Sequence, residues 1–122
     1  MICHYCNKNA EKVTGREVYS HRPDLASKII YRCKPCGASV GCHPGTDRPL
    51  GILANAALRK KKMAAHAAFD PLWRSKRMSR HQAYAWLAGE LGVKRDDCHI
   101  GMFSEAMCER VVKVVKERGA AT

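Results

Sequence analysis

Residues 1–42 show short apolar runs separated by turn-forming residues, a pattern typical of strands rather than helices. Glu11–Tyr19 predicts a first strand, with Gly15 at a turn or bulge within it. Lys28–Arg32 carries two isoleucines and a tyrosine and predicts a second strand, and Ala38–Gly41 predicts a short third one. The pattern therefore predicts a small antiparallel sheet of two or three strands at this end of the chain.

The next part of the chain changes to the spacing of helices. After the loop Cys42–Gly51, which is rich in Pro and Gly, the segment Ile52–Phe69 is dense in Ala and Leu and predicts a helix that Pro71 helps to end. We expect its inward face to be formed by Leu53, Ala57, Ala64 and Ala68.

Two further helices carry start and stop signals. Ser79 with Gln82 three residues later predicts a capping box, and Gly92 suits the end of that helix. Ser104 predicts the cap of a last helix over Glu105–Arg118. We expect the apolar face of the last helix to comprise Cys108, Val111, Val112 and Val115.

Four of the seven cysteines form two Cys-x-x-Cys pairs, 26 residues apart. Two intervening residues allow a tight turn to aim both sulfurs at one point, and two such turns supply four thiolates at ~2.3 Å from a tetrahedral zinc ion. The expected metal ligands are Cys3, Cys6, Cys33 and Cys36. Gly37, directly after the second pair, suits a position that needs a residue without Cβ. We predict one structural zinc ion, because four protein ligands leave no open coordination position.

Other uses of the cysteines stay open at this point. The pairs could form a redox dithiol or could be reduced cysteines that pack, although neither pair has the strand–helix setting of a redox motif. Candidates for substitute ligands, or for a second site, are His4, His21, Cys42 and His43. Cys108 is expected in the core, since free cysteines are often buried.

These elements together predict an α+β protein. A zinc ribbon over residues 1–42 packs on a three-helix part over residues 43–122, and we expect the two to form one compact unit. The longest stretch without Asp, Glu, Lys or Arg is Pro35–Thr46, twelve residues, which is too short to span a membrane. The first residues, beginning at Met1, carry no secretory signal pattern.

Three runs of sequence resemble a known family. They are YSHRPDL at Tyr19–Leu25, VGCHPGTDRPLG at Val40–Gly51 and AYAWLA…CHIGMF within Ala83–Phe103. With both cysteine pairs, they resemble a family of small phage and prophage proteins described as a zinc-finger-containing domain of unknown function. The resemblance implies a zinc-binding domain, encoded by a bacteriophage or by a bacterium that carries one, that acts in the bacterial cytoplasm. It implies no catalysed reaction and no known ligand.

The charge of the chain is concentrated in its middle. The chain carries 22 Lys and Arg against 11 Asp and Glu, a net charge of +11. Within residues 48–89 there are nine basic side chains and one acidic side chain, Asp70. Such an excess favours a polyanionic partner, and nucleic acid, DNA or RNA, is the first hypothesis.

Two basic clusters carry this hypothesis. The candidate nucleic-acid-binding residues are Arg59, Lys60, Lys61, Lys62, Arg74, Lys76, Arg77 and Arg80. Trp73 adjoins the second cluster and could stack on an unpaired base, or belong to the core. The expected function is a structural-zinc protein that binds nucleic acid through a basic helical surface without catalysis.

Two alternatives remain. The basic block could instead contact an acidic surface of a bacterial host protein, as a host-takeover or regulatory protein would. A small enzyme is the other alternative, with His43 and Asp47 in one loop and Cys98 and His99 in another. Neighbouring positions in sequence give no evidence of that geometry, and we assign no catalytic residue.

Overall fold

A computed structural model describes the backbone of residues 1–121 and the side chains of residues 1–119. Contacts within the chain define two compact units, Met1–Ala57 and a second that begins at Leu58. The boundary predicted after residue 42 stays a prediction. No helix within residues 1–121 is long and apolar enough to cross a membrane.

The first unit contains the predicted antiparallel sheet. Its three strands are β1 (Glu11–Thr14), β2 (Ile29–Cys33) and β3 (Ala38–Gly41), in the spatial order β1-β2-β3. Val13 lies opposite Ile30 in the register, so the inward-facing residues of neighbouring strands are paired. Because β2 is central and runs directly into the second cysteine pair, the sheet holds that pair beside the strand end. The α+β architecture is confirmed.

The first strand is shorter than predicted, since the expected continuation to Tyr19 is wrong. The chain leaves β1 after Thr14 and forms a one-turn helix, α1 (Gly15–Val18). The backbone N–H of Gly15 donates to the carbonyl of Lys28 at 2.8 Å, and the N–H of Tyr19 closes the turn onto the carbonyl of Gly15 at 2.7 Å. A 3₁₀ turn over Pro23–Leu25 then leads towards β2.

The segment that follows β3 also belongs to the first unit. Ser39 and Ala54 exchange two backbone hydrogen bonds of 3.0 Å, so the residues around Ala54 extend the sheet beyond β3. Leu53 lies fully buried in this segment. The predicted helix therefore does not begin at Ile52: it begins at Ala56, because the preceding residues pair with β3 instead. The small core of this unit consists of Cys3, Cys33, Ala38 and Leu53.

The second unit consists of helices. They are α2 (Ala56–Phe69, whose first two residues precede the boundary), α3 (Pro71–Arg74), α4 (Arg80–Leu91) and α5 (Glu105–Ala121), with 3₁₀ turns at Arg95–Asp97 and Ile100–Met102. The prediction of three longer helices is confirmed, whereas α3 was expected to be a linker. Pro71 ends α2 as predicted, but its fixed φ also suits the first position of α3.

The predicted caps are present. The Ser79 hydroxyl accepts from the N–H of Gln82 at 3.0 Å, and the Gln82 side chain accepts from the N–H of Ser79 at 2.9 Å. Gly92 ends α4 with a left-handed φ of 70°. The Ser104 hydroxyl accepts from the N–H of Met107 at 3.2 Å and caps α5. These bonds satisfy backbone groups that a helix end otherwise leaves unpaired.

The inward face of α2 differs from the prediction by one position. Leu58, Ala65 and Phe69 are buried, whereas Ala57 and Ala64 are exposed. Phe69 packs edge-on against Tyr84, with ring centroids 4.7 Å apart, and this large ring determines which face of α2 turns inward. The same core buries Cys98 and Cys108 completely, so the expected position of Cys108 is confirmed.

Candidate metal centre and basic surface

The first cysteine pair lies in a tight turn that precedes β1. The N–H of Asn7 donates to the carbonyl of Cys3 at 2.7 Å, and the N–H of Cys3 donates to the carbonyl of Lys8 at 2.8 Å. Asn7, directly after Cys6, has a positive φ of 63°. Asparagine tolerates this left-handed conformation better than most residues.

The second pair repeats this turn between β2 and β3. Gly37, directly after Cys36, also has a φ of 63°, and its N–H donates to the carbonyl of Lys34 at 3.2 Å. The expectation for Gly37 is confirmed, and its cause is the backbone angle, since an added Cβ would meet no atom within 4 Å. In both turns, therefore, the residue directly after the second cysteine has a left-handed backbone conformation.

The two turns bring four sulfur atoms together. The Sγ atoms of Cys3, Cys6, Cys33 and Cys36 all lie within 4.8 Å of one another. Those of Cys6 and Cys33 are 3.6 Å apart. Zinc at ~2.3 Å from four tetrahedral thiolates places neighbouring sulfurs about 3.8 Å apart, so the arrangement fits zinc. Among the side chains of residues 1–119, this cluster is the one group with the composition and spacing of a metal site.

The electrostatics of the cluster also favour a bound cation. Burial raises the pKa of Cys3, but hydrogen bonds from the backbone N–H groups of Tyr5 and Cys6 outweigh it and lower that pKa to about 7. Burial and hydrogen bonds with the other three thiols raise the pKa of Cys36 to about 12. The cluster thus favours one thiolate and resists a fourth. A divalent ion would remove that resistance by offsetting the accumulated negative charge.

The site has the properties of a structural centre. Cys3 and Cys33 are buried, and Cys6 and Cys36 are half-buried. Four protein ligands leave no position for water or substrate, so bound zinc contributes folding free energy and generates no nucleophile. The residues fit one structural zinc ion.

The histidine beside the first pair has another role. Nε2 of His4 lies 2.9 Å from the carbonyl oxygen of Leu53, to which it donates, and the Tyr5 hydroxyl accepts from the N–H of Asn55 at 3.2 Å. The tip of the first turn therefore holds the segment that extends the sheet. His21, Cys42 and His43 lie outside the four-cysteine cluster.

The loops considered for catalysis are held by other contacts. In the first unit, Asp47 forms an ion pair with Lys12 at 3.7 Å, and the Thr46 hydroxyl donates to the carbonyl of His43 at 2.9 Å. In the second unit, the Cys98 thiol is enclosed in the apolar core, and burial raises its pKa. A protonated, enclosed thiol suits packing rather than nucleophilic attack.

Two Cys-x-x-Cys turns on a small sheet, which bring four thiols together, define a zinc-finger domain. The chain belongs to the zinc-finger-containing domain family, whose model matches residues 1–118. The match confirms the resemblance of the sequence to a zinc-finger domain of unknown function. No curated protein and no solved structure matches the chain.

The basic clusters lie on α2, on α3, in the loop that joins α3 to α4 and at the start of α4, all in the second unit. Six of the eight candidate residues are exposed there: Arg59, Lys60, Arg74, Lys76, Arg77 and Arg80. The other two have roles within the unit. Lys61 forms a 2.8 Å ion pair with Glu109, which raises the pKa of Lys61. Lys62 donates to the carbonyl of Gly101 at 2.7 Å, and burial lowers its pKa.

A groove of about 580 Å³ runs beside the exposed face of α2 and reaches α3. Arg59, His66 and Arg74 are among the residues that line it. Asp70 lies there too, with its carboxylate 3.3 Å from Nδ1 of His66 and 3.8 Å from the Arg74 guanidinium. Its side chain is only 14% exposed, so the single acid of the basic block is largely covered and faces His66 and Arg74.

Arginines and aromatic rings alternate next to this groove. The Arg74 and Arg80 guanidinium groups lie 5.3 and 5.6 Å from the Trp73 ring centroid. Arg80 and Arg95 each lie 4.9 Å from the Tyr84 centroid. We call these five residues the arginine–aromatic stack. Sequence reasoning did not identify Arg95 as part of this group. For Arg80 and Tyr84, their i,i+4 spacing on α4 was a signal that the two side chains are in contact.

Proposed function

We propose that the protein binds nucleic acid, DNA or RNA, through the basic surface of its second unit, and that zinc serves only to fold the first. The observation that carries the proposal is the charge of residues 58–89 in that unit, where eight basic side chains accompany one acidic side chain. That acid, Asp70, is largely covered and paired with His66 and Arg74. The exposed charge is therefore almost wholly positive, which suits phosphates.

The salt dependence of binding tests this proposal. Six exposed cationic side chains in contact with phosphates predict a slope of about −4 for log K against log salt with a single strand, and about −5 with a duplex. Fluorescence anisotropy of a labelled oligonucleotide, titrated at several salt concentrations, measures the slope. A slope near zero, or no binding at low salt, contradicts the proposal.

Two matched double variants distinguish the effect of this surface on binding from the effect of the net charge of the chain. Lys60→Ala with Lys76→Ala removes two charges from the surface, whereas Lys113→Ala with Lys116→Ala removes two exposed charges from α5. We expect the first double variant to reduce the slope by about 1.5 for a single strand and to weaken binding, and the second to do neither. Equal effects would contradict a localised surface.

We also propose a phage or prophage protein that acts in the cytoplasm of a bacterial host. The support is the resemblance of three sequence runs, Tyr19–Leu25, Val40–Gly51 and Ala83–Phe103, to such proteins. Purification from the bacterial host with and without nuclease tests the partner. Co-purifying nucleic acid supports the proposal. A defined acidic host protein that stays bound after nuclease, without oligonucleotide binding in vitro, contradicts it and favours a host-takeover protein.

A further inference from the structure

We propose that the arginine–aromatic stack is a binding site for single-stranded nucleic acid, recognised through the guanidinium groups of Arg74 and Arg80 that lie over Trp73. The inference rests on the proposed function and deepens it. It assigns the site and the class of nucleic acid, and it makes guanidinium chemistry, rather than positive charge alone, the source of affinity.

The two guanidinium groups are held in place and yet remain accessible. Both lie within 6 Å of the Trp73 centroid, a distance at which a cation is attracted to the ring face. The Trp73 ring is half-buried and packs against the core of the second unit, so it forms a fixed support. The Arg74 side chain is nevertheless 68% exposed, and Arg80 is exposed too. A ligand would therefore meet cationic groups whose mobility is already reduced.

Only part of the stack is suited to a ligand. Tyr84 is buried and packs on Phe69, so its contacts with Arg80 and Arg95 stabilise the unit. Nε1 of Trp73 is buried without a hydrogen-bond partner in residues 1–121, which places the polar edge of the indole in the interior. The accessible elements are thus the guanidinium groups over Trp73.

Arginine differs from lysine in ways that matter for this ligand. The guanidinium group is planar, stacks on aromatic rings and donates two parallel hydrogen bonds to a phosphate, whereas an ammonium group acts as a point charge. An unpaired base offers its ring face to such a plane, but a base within a duplex is covered by its neighbours. A pair of supported guanidinium planes therefore favours a single strand.

The adjacent groove continues the same surface. Arg74 belongs to both the groove and the stack, and Arg59, on α2, lines the same groove fifteen residues earlier along the chain. Together they form a cationic path beside the place where bases would stack. This combination of a cationic track with a stacking platform is typical of proteins that bind single strands.

Charge-conserving variants test the proposal. The double variant Arg74→Lys with Arg80→Lys keeps both charges and removes both guanidinium planes. The control, Lys60→Arg with Lys76→Arg, makes the reverse replacement, lysine by arginine, at two other exposed cations of the same surface. Binding of an oligo-dT 15-mer and of a 15-bp duplex is measured by anisotropy, and thermal melting shows that each variant is folded. We expect at least about fivefold weaker dT binding for the first variant, from the loss of ~1 kcal/mol of stacking, and no weakening for the control.

The outcomes separate this inference from the proposed function. If the wild-type chain binds neither oligonucleotide, the proposed function fails. If it binds dT and the lysine variant binds equally well, or if it prefers the duplex, only the assignment of the stack to single strands is contradicted.

Tryptophan fluorescence gives a second readout that charge alone does not move. The chain has two tryptophans, so Trp86→Phe leaves Trp73 as the sole emitter. We expect saturating oligo-dT to quench or shift the Trp73 emission, because the groups over its ring take part in binding. Unchanged emission at saturation would place the bound strand elsewhere and overturn the proposal.

Discussion

Replacing Gly15 by alanine tests the close approach between Gly15, directly after β1, and the backbone of Leu25. An added Cβ at Gly15 would lie 1.7 Å from the carbonyl oxygen of Leu25, whereas real Cβ atoms essentially never come within 3.0 Å of such an atom. The two backbone segments must therefore separate by about 1.3 Å. The N–H of Gly15 donates to Lys28 at 2.8 Å, and that of Arg16 to Ala26 at 3.3 Å. A displacement of this size breaks both bonds, since a donor and an acceptor about 3.6 Å or more apart form no hydrogen bond.

The expected cost follows from these contacts. Overpacking costs typically ~1–3 kcal/mol, and each lost hydrogen bond adds ~1 kcal/mol. We expect Gly15→Ala to lower the free energy of unfolding of the first unit by about 3–5 kcal/mol. With a urea dependence of about 1.5 kcal/mol per molar, the midpoint falls by about 2–3 M.

Zinc release during a urea titration measures this loss in the first unit alone, because all four ligands belong to it. A chromophoric chelator records the released ion. Gly41→Ala is the matched control: Gly41 lies in β3, where an added Cβ would meet only the Leu50 side chain at an ordinary 3.8 Å. If both variants release zinc at the urea concentration of the wild type, the close approach at Gly15 does not exist.

Three further predictions concern single contacts. Tyr5→Phe removes the hydroxyl that accepts from the N–H of Asn55 at 3.2 Å, so that amide should exchange with solvent about five- to tenfold faster by NMR, and unchanged exchange would refute the contact. Ser79→Ala removes the capping box and should destabilise the second unit by about 1 kcal/mol, which tryptophan fluorescence reports during urea unfolding; no loss would argue against the cap. In the zinc-loaded protein, half-buried Cys42 should be the single thiol that reacts rapidly with a disulfide reagent, since the other two non-ligand cysteines are fully buried; a second fast thiol would contradict that burial.

The metal site is the part of this protein that local sequence predicts best. A Cys-x-x-Cys turn is a short-range structure, and the glycine after the second pair marks the left-handed residue that the turn needs. Its counterpart in the first turn, Asn7, was missed because asparagine occurs in many other settings. A repeated turn with Gly in one copy and Asn in the other was the available signal.

The helix α2 shows where the pattern was ambiguous. Alanine is tolerated on either face of a helix, and α2 contains six alanines, so the position of its apolar face could not be determined from them. Phe69, at the end of the helix, fixes the face through its contact with Tyr84. That partner comes from a different helix, and contacts between helices are not encoded in local periodicity.

The basic surface illustrates the same limit. The excess of positive charge was visible in the sequence, but the partners of individual lysines were not. Lys62 meets the carbonyl of Gly101, 39 residues away, and Lys61 meets Glu109 on α5. These long-range contacts explain why Lys61 and Lys62 are half-buried whereas the other six candidate cations are exposed.

Zinc content combined with the fold of the first unit tests the central claim most directly. Native mass spectrometry should find one zinc ion per chain in the wild type and none in Cys33→Ser, the variant that removes a buried ligand. In the same samples, NMR should show dispersed amide signals for residues 1–57 only when zinc is bound, since binding of a structural zinc supplies the folding free energy. A metal-free chain with those signals fully dispersed would contradict the account.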